Sequence, residues 1–120
     1  TATGIGGIIR ILNKAENAAV LVDEAYFEFY GVTALSLLKD YANLFVSRTF
    51  SKAYGMAGMR LGCVFSRRSN IAYLHKAQSP YSVNALAMAT SQASGCISSN
   101  NSLPIKHITG RTRLPPNERK

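Results

Sequence analysis

Cysteine is scarce in this sequence: Cys63 and Cys96 are the only two in 120 residues, without paired spacing. No disulfide scaffold is implied, and the usage suits a reducing cytosol. Histidine is as rare. His75 and His107 lie far apart, with no Cys or carboxylate at ligand spacing, which argues against a metal site and leaves His75 as a helix-surface residue. No run of 18 apolar residues occurs and no charged-then-apolar leader opens the chain, so neither a membrane span nor a secretory signal is supported. Repeats and low-complexity segments are absent as well. Acidic residues are few, 6 against 14 basic, for a formal charge of +8. Half of that excess sits in residues 97–120, where Lys106, Arg111, Arg113, Arg119 and Lys120 face only Glu118. This end has no interleaved aromatics and no recognition motif, so no specific nucleic-acid partner is expected. Residues 95–120 read as a basic polar tail, disordered or aberrant, after a unit spanning 1–94.

What is present suffices for one modest core. Ile5, Ile8, Ile9 and Leu12 follow helical spacing and lead into a short helix through Asn13 to Ala18. Gly4-Ile5-Gly6-Gly7 is not a dinucleotide fingerprint, because Ile9 stands where the third glycine belongs and no strand precedes it. Residues 19–23 and 43–48 are apolar runs of the kind buried in a parallel sheet, joined by a segment from Val32 to Tyr41 with a brief amphipathic helix. Arg60 to Phe65 reads as a third strand. Ser69 is the expected N-cap of a helix over 70–78, and Pro80 separates it from a second helix over 83–94. That order predicts an α/β unit with a mostly parallel sheet flanked by helices, with ligand groups at strand C-ends.

The densest chemistry lies in Ser47-Arg48-Thr49-Phe50-Ser51-Lys52-Ala53-Tyr54-Gly55-Met56-Ala57-Gly58-Met59-Arg60, which follows the strand-like Asn43-Leu44-Phe45-Val46. Hydroxyls, one lysine, small residues and an arginine are the composition of a phosphate-holding loop with a nucleophilic amine at its centre. Val20-Leu21-Val22-Asp23-Glu24-Ala25-Tyr26 ends a second strand on a carboxylate, with a phenol just beyond. Pyridoxal phosphate needs these groups: an amine to hold its aldehyde carbon as an imine, a carboxylate to keep its ring nitrogen protonated, and donors for its phosphate. Lys52 and Asp23 fit the first two needs. Arg60, Thr49 and Ser51 fit the third, and Gly55 and Gly58 let the backbone approach closely. Singly, each residue has an ordinary explanation as a solvated loop lysine or a turn aspartate. Their combination at this spacing is what points to a cofactor. Met56 and Met59 read as packing residues.

Val22-Asp23-Glu24-Ala25-Tyr26-Phe27-Glu28-Phe29 and Thr49-Phe50-Ser51-Lys52-Ala53 resemble the fold-type I, class I/II pyridoxal phosphate-dependent aminotransferases, and within them the histidinol-phosphate aminotransferase family. The likeness runs over roughly residues 4–94, where Pro80-Tyr81-Ser82-Val83-Asn84 and the Ala-rich stretch after it continue it. The resemblance implies part of that fold's large domain. It also implies Lys52 as the imine lysine, Asp23 as partner of the pyridine nitrogen, Tyr26 as donor to the ring's phenolic oxygen, and Thr49, Ser51 and Arg60 as phosphate ligands. It further implies a small-molecule amino donor with 2-oxoglutarate as acceptor, a homodimer, and a cytoplasmic role in histidine biosynthesis. Of the family's Asn-Pro-x-Gly element only Thr3-Gly4 has a counterpart, so the chain reads as a central fragment that is inactive alone. Two alternatives stay open: another enzyme of the same fold, such as a threonine-phosphate decarboxylase or an aromatic aminotransferase, and a non-catalytic basic remnant.

Overall fold

The computed structural model describes residues 3–77 and 106–109. In chain order the elements are helix α1 (Ile5–Lys14), strand β1 (Val20–Asp23), the single turn α2 (Phe27–Tyr30), a 3-10 turn (Leu35–Lys39), strand β2 (Leu44–Thr49), a second 3-10 turn (Ala57–Met59), strand β3 (Gly62–Phe65), helix α3 (Arg68–Ala77) and strand β4 (Lys106–Thr109). The architecture is α/β: a four-stranded sheet, order β1-β2-β3-β4, with flanking helices.

Helix α1 has no side-chain cap and carries Gly6 and Gly7, each costing about 1 kcal/mol relative to alanine. It holds because Ile8 and Leu12, one turn apart, are buried against the sheet. The helix ends at Lys14, short of the expected Ala18. The reason is non-local: Asn43 Nδ2 donates to Ala15 O (2.7 Å) and Ala18 O (3.1 Å), so the carbonyls after the helix are satisfied from the start of β2.

The expected mostly parallel sheet is corrected to a mixed one. β1 and β2 are parallel, with Asp23 opposite Ser47, but β2 and β3 run antiparallel, as do β3 and β4. The β2–β3 connection has no crossover helix to carry the chain back for a parallel strand. Instead it folds on itself, with Met56 N–H donating to Phe50 O and Phe50 N–H to Leu61 O, both 3.1 Å, extending the antiparallel ladder into the turn. Nor is β1 buried on both faces. Among the described residues it is one of two edge strands, its burial alternates, and Leu21 is 63% exposed. Central β2 is the buried one, with Leu44 and Val46 fully enclosed.

The core gathers Ile8, Leu12, Leu38, Leu44, Val46, Phe50, Leu61 and Phe65 between α1, the first 3-10 turn and the sheet. Helix α3 begins at Arg68, so Ser69 lies inside its first turn rather than at the cap. The polar ties at this end come from its neighbours. Ser66 Oγ donates to Leu44 O (2.6 Å), Asn70 Nδ2 donates to Ser66 Oγ and Ala42 O, and Arg67 donates to Leu38 O and Lys39 O. His75 is exposed on α3, as expected. Lys106–Thr109 falls within the segment read as a tail and pairs with β3. The 94/95 boundary, the helix expected over 83–94 and the rest of the tail lie outside the described residues. No helix among the described residues is long and apolar enough to cross a membrane.

Candidate functional site

One end of the sheet collects the chemistry-bearing residues. Asp23 closes β1, Thr49 closes β2, and Ser51 and Lys52 follow directly; because β3 is antiparallel, Arg60 enters it from the same end. Strand pairing thus brings together residues that stand up to 37 positions apart in sequence.

Asp23 is exposed, and its Oδ1 accepts from Ser47 Oγ (3.0 Å) across the parallel ladder and from Ala25 N–H (3.2 Å). Those two bonds fix the carboxylate's orientation, and among the described residues no hydrogen bond engages Oδ2. Three residues on, Tyr26 caps α2 and is 59% exposed, and Lys52 Nζ stands 5.4 Å from the centre of its ring. This is cation–π range, and the contact joins the amine of one loop to the phenol of the other.

The proposed anion ligands share this sheet end. Thr49 Oγ1 accepts from Ser51 N–H (3.2 Å) and faces Leu61 O at 3.5 Å, a local hydroxyl turn that curls the chain toward Lys52. Gly55 takes a left-handed conformation (φ 64°), closing the turn by donating to Lys52 O. Arg60 has φ 54°, the only non-glycine positive φ among the described residues, and its exposed guanidinium donates to Ala57 O (3.2 Å). A left-handed arginine costs of order 1–3 kcal/mol, the kind of backbone strain found at ligand sites. Arg60 forms no hydrogen bond to Thr49 or Ser51 among the described residues.

Sequence reasoning overlooked a second polar set, on the opposite side of the Asp23–Ser47 pair. Glu24 is buried, and its carboxylate accepts from Ala34 N–H (2.6 Å), Thr33 Oγ1 (3.0 Å) and Arg48, which reaches Oε2 through both Nε (3.0 Å) and Nη2 (2.9 Å). Arg48 also donates Nη2 to Thr33 Oγ1, and its guanidinium lies 3.5 Å from the centre of the Phe27 ring. A detectable signal existed: opposite charges, Glu24 and Arg48, at the ends of two otherwise apolar strands.

An apolar cleft of about 620 Å³ lies between α1, β1 and α2, lined by Ile8, Ile11, Leu21, Phe27, Tyr30 and Val32 among others, with Asp23 and Tyr26 contributing. Lys52, Thr49, Ser51 and Arg60 do not line it, so it is not where amine and carboxylate converge. No group of three or more metal-ligating side chains occurs among the described residues.

Known proteins are similar to this chain in sequence. The chain is 46% identical over 80 residues to histidinol-phosphate aminotransferase of Thermoanaerobacter pseudethanolicus, covering 67% of this chain and 22% of that protein. It is 49% identical over 80 residues, with the same coverage, to histidinol-phosphate aminotransferase of Caldanaerobacter subterraneus subsp. tengcongensis. To the Lactococcus lactis protein of that name it is 40% identical over 96 residues, 78% of this chain and 27% of the relative. The chain therefore spans about a fifth to a quarter of the length of the curated relatives it matches. The family pattern for aminotransferase class I and II matches residues 7–110, and over that span the chain belongs to the class I and II aminotransferases.

Proposed function

We propose that this chain holds the cofactor-binding part of a pyridoxal 5′-phosphate-dependent transaminase that acts on histidinol phosphate and 2-oxoglutarate in histidine biosynthesis. The observation that carries this is the meeting of Lys52 Nζ with Tyr26, 5.4 Å apart and three residues from Asp23, in a chain so similar to histidinol-phosphate aminotransferases. The donor set fits the cofactor: an exposed primary amine, a carboxylate with one oxygen available, a phenol, hydroxyls and a guanidinium at one sheet end. When bound, pyridoxal phosphate supplies an electron sink for the carbon that loses a proton.

The residues divide the remaining work. Lys52 Nζ would hold the cofactor through its amine and would accept and return the proton that the amino donor loses. Asp23 holds a proton at the ring nitrogen, oriented for this by Ser47 Oγ and Ala25 N–H. Tyr26 donates its phenolic hydrogen to the ring oxygen. Thr49 and Ser51 would donate hydroxyl hydrogen bonds to the phosphate, and the Arg60 guanidinium would offset its charge with charge-assisted donors. A cytoplasmic homodimer belongs to the same proposal.

The test, run in a full-length background, is to load the protein with pyridoxal phosphate, supply histidinol phosphate with 2-oxoglutarate, and quantify glutamate and carbon dioxide. Glutamate is the expected product; carbon dioxide in its place would indicate the decarboxylase reading. Two variants separate the roles. Asp23→Ala should slow the half-reaction by about a hundredfold or more with cofactor affinity little changed, because the carboxylate acts on charge that develops during reaction. Arg60→Ala should do the reverse, weakening cofactor binding by about 1.5–3 kcal/mol, the worth of a hydrogen bond to a charged group. Equal affinity losses in the two variants would show the roles to be misassigned.

A further inference from the structure

We infer that Glu24 and Arg48, linked by Thr33 and backed by Phe27, form a positioning clamp that sets Tyr26 and Asp23 against Lys52. The inference rests on the cofactor site proposed above and adds residues to it that touch no cofactor.

Glu24 is the residue at which β1 leaves the sheet. Its N–H still donates to Ser47 O (2.8 Å), continuing the ladder, while its own carbonyl accepts from Phe27 N–H (3.0 Å), opening the turn that carries Tyr26. The path from the Asp23 carboxylate to the Tyr26 phenol therefore runs through the Glu24 backbone. Its side chain anchors that hinge from below, by three donors from two different segments, the 33–34 connection and β2. Arg48 completes the hold from the β2 side, its guanidinium carbon 3.5 Å from the ring centre of Phe27, the residue after Tyr26.

Register adds a second constraint. Asp23 pairs with Ser47, and the next residues along, Glu24 and Arg48, pair on the opposite face. Side chains alternate faces along a strand, so a slip of one residue would break both polar pairs at once and bury an unmatched charge. Arg48 is also four residues before Lys52 on the same strand and loop, so the clamp fixes the base from which the amine reaches Tyr26. Thr33 is its keystone: Oγ1 donates to Glu24 and accepts from both Arg48 Nη2 and Leu35 N–H.

The test compares the rate at which pyridoxal phosphate, trapped by borohydride, is captured at Lys52 with its capture at Lys39 and Lys76, exposed lysines of the same chain that serve as internal references. Glu24→Gln keeps an acceptor for Ala34 N–H but loses the charge that holds Arg48. It should lower the Lys52 preference by about tenfold or more, as sub-ångström misplacement of reacting groups does. Because Glu24→Gln can lose the fold, Thr33→Val and Thr33→Ser are run beside it, with near-ultraviolet circular dichroism to confirm native packing. Thr33→Val removes the keystone hydroxyl and should reduce the preference, while Thr33→Ser restores the hydroxyl and should retain it. A residue that only stabilised the fold would leave the ratio unchanged in any variant that remains folded. If the unsubstituted protein shows no Lys52 preference, the cofactor site itself is wrong. If it shows one and folded Thr33→Val keeps it in full, the clamp is overturned while the site stands.

Discussion

In a full-length background, Lys52→Ala is expected to abolish transamination, lowering the rate by on the order of 10⁴-fold or more, while the protein stays folded. Lys52 is exposed in the loop after β2 and contributes nothing to the core, so its removal leaves the burial that stabilises the domain intact. What disappears is the amine that both holds the cofactor and moves the proton, and proton transfer by a positioned side chain alone accounts for about 10²–10⁴-fold. Added ethylamine should restore part of the rate in Lys52→Ala, because a diffusible amine can take over the proton but not the tether. Single-turnover kinetics with histidinol phosphate, with and without ethylamine, checks both effects; a rate within tenfold of the unsubstituted protein would remove Lys52 from the reaction.

The largest stability effect is expected at Glu24. Glu24→Ala strands the Arg48 guanidinium, whose side chain is 19% exposed, and leaves Ala34 N–H without its 2.6 Å acceptor in the interior. Breaking a buried pair by removing one partner costs about 3–5 kcal/mol, and the residual exposure of Arg48 puts this case near the lower end. Against a total stability of about 5–15 kcal/mol that is a large fraction. Replacing both partners, Glu24→Met with Arg48→Met, should recover much of the loss, since no unmatched charge remains. Urea denaturation of the three proteins measures it. A loss below about 1 kcal/mol for Glu24→Ala, the range of surface ion pairs, would mean that the pair carries no buried charge.

These two predictions draw on parts of the protein that were unequally legible in the sequence. The placement of Asp23 and Lys52 at strand ends was readable because charged groups stand out against apolar runs such as Val20-Leu21-Val22. Strands β1, β2 and β3 were readable as well, to within about two residues of their ends. Strand direction was not. Residues 50–61 contain turn formers and a short helical turn, and that composition permits either a crossover or a hairpin-like return until the Phe50–Leu61 pairing decides it. The end of α1 was hidden for a similar reason, since its decisive partner, Asn43, lies 28 residues from Ala15. Glu24 and Arg48 are 24 residues apart, and only the register of β1 on β2 puts them face to face. Lys106–Thr109 has the composition of a charged tail, and its pairing depends on the edge that β3 offers rather than on its own apolar pattern.

The central claim is that Lys52 is the residue that binds the cofactor, and the site of covalent attachment tests it most directly. The protein is incubated with pyridoxal 5′-phosphate, reduced with borohydride, digested, and mapped by mass spectrometry. The label is expected on Lys52, in the peptide that also carries Thr49 and Ser51. A label concentrated on Lys39 or Lys76 instead, or spread evenly over the exposed lysines, would contradict it.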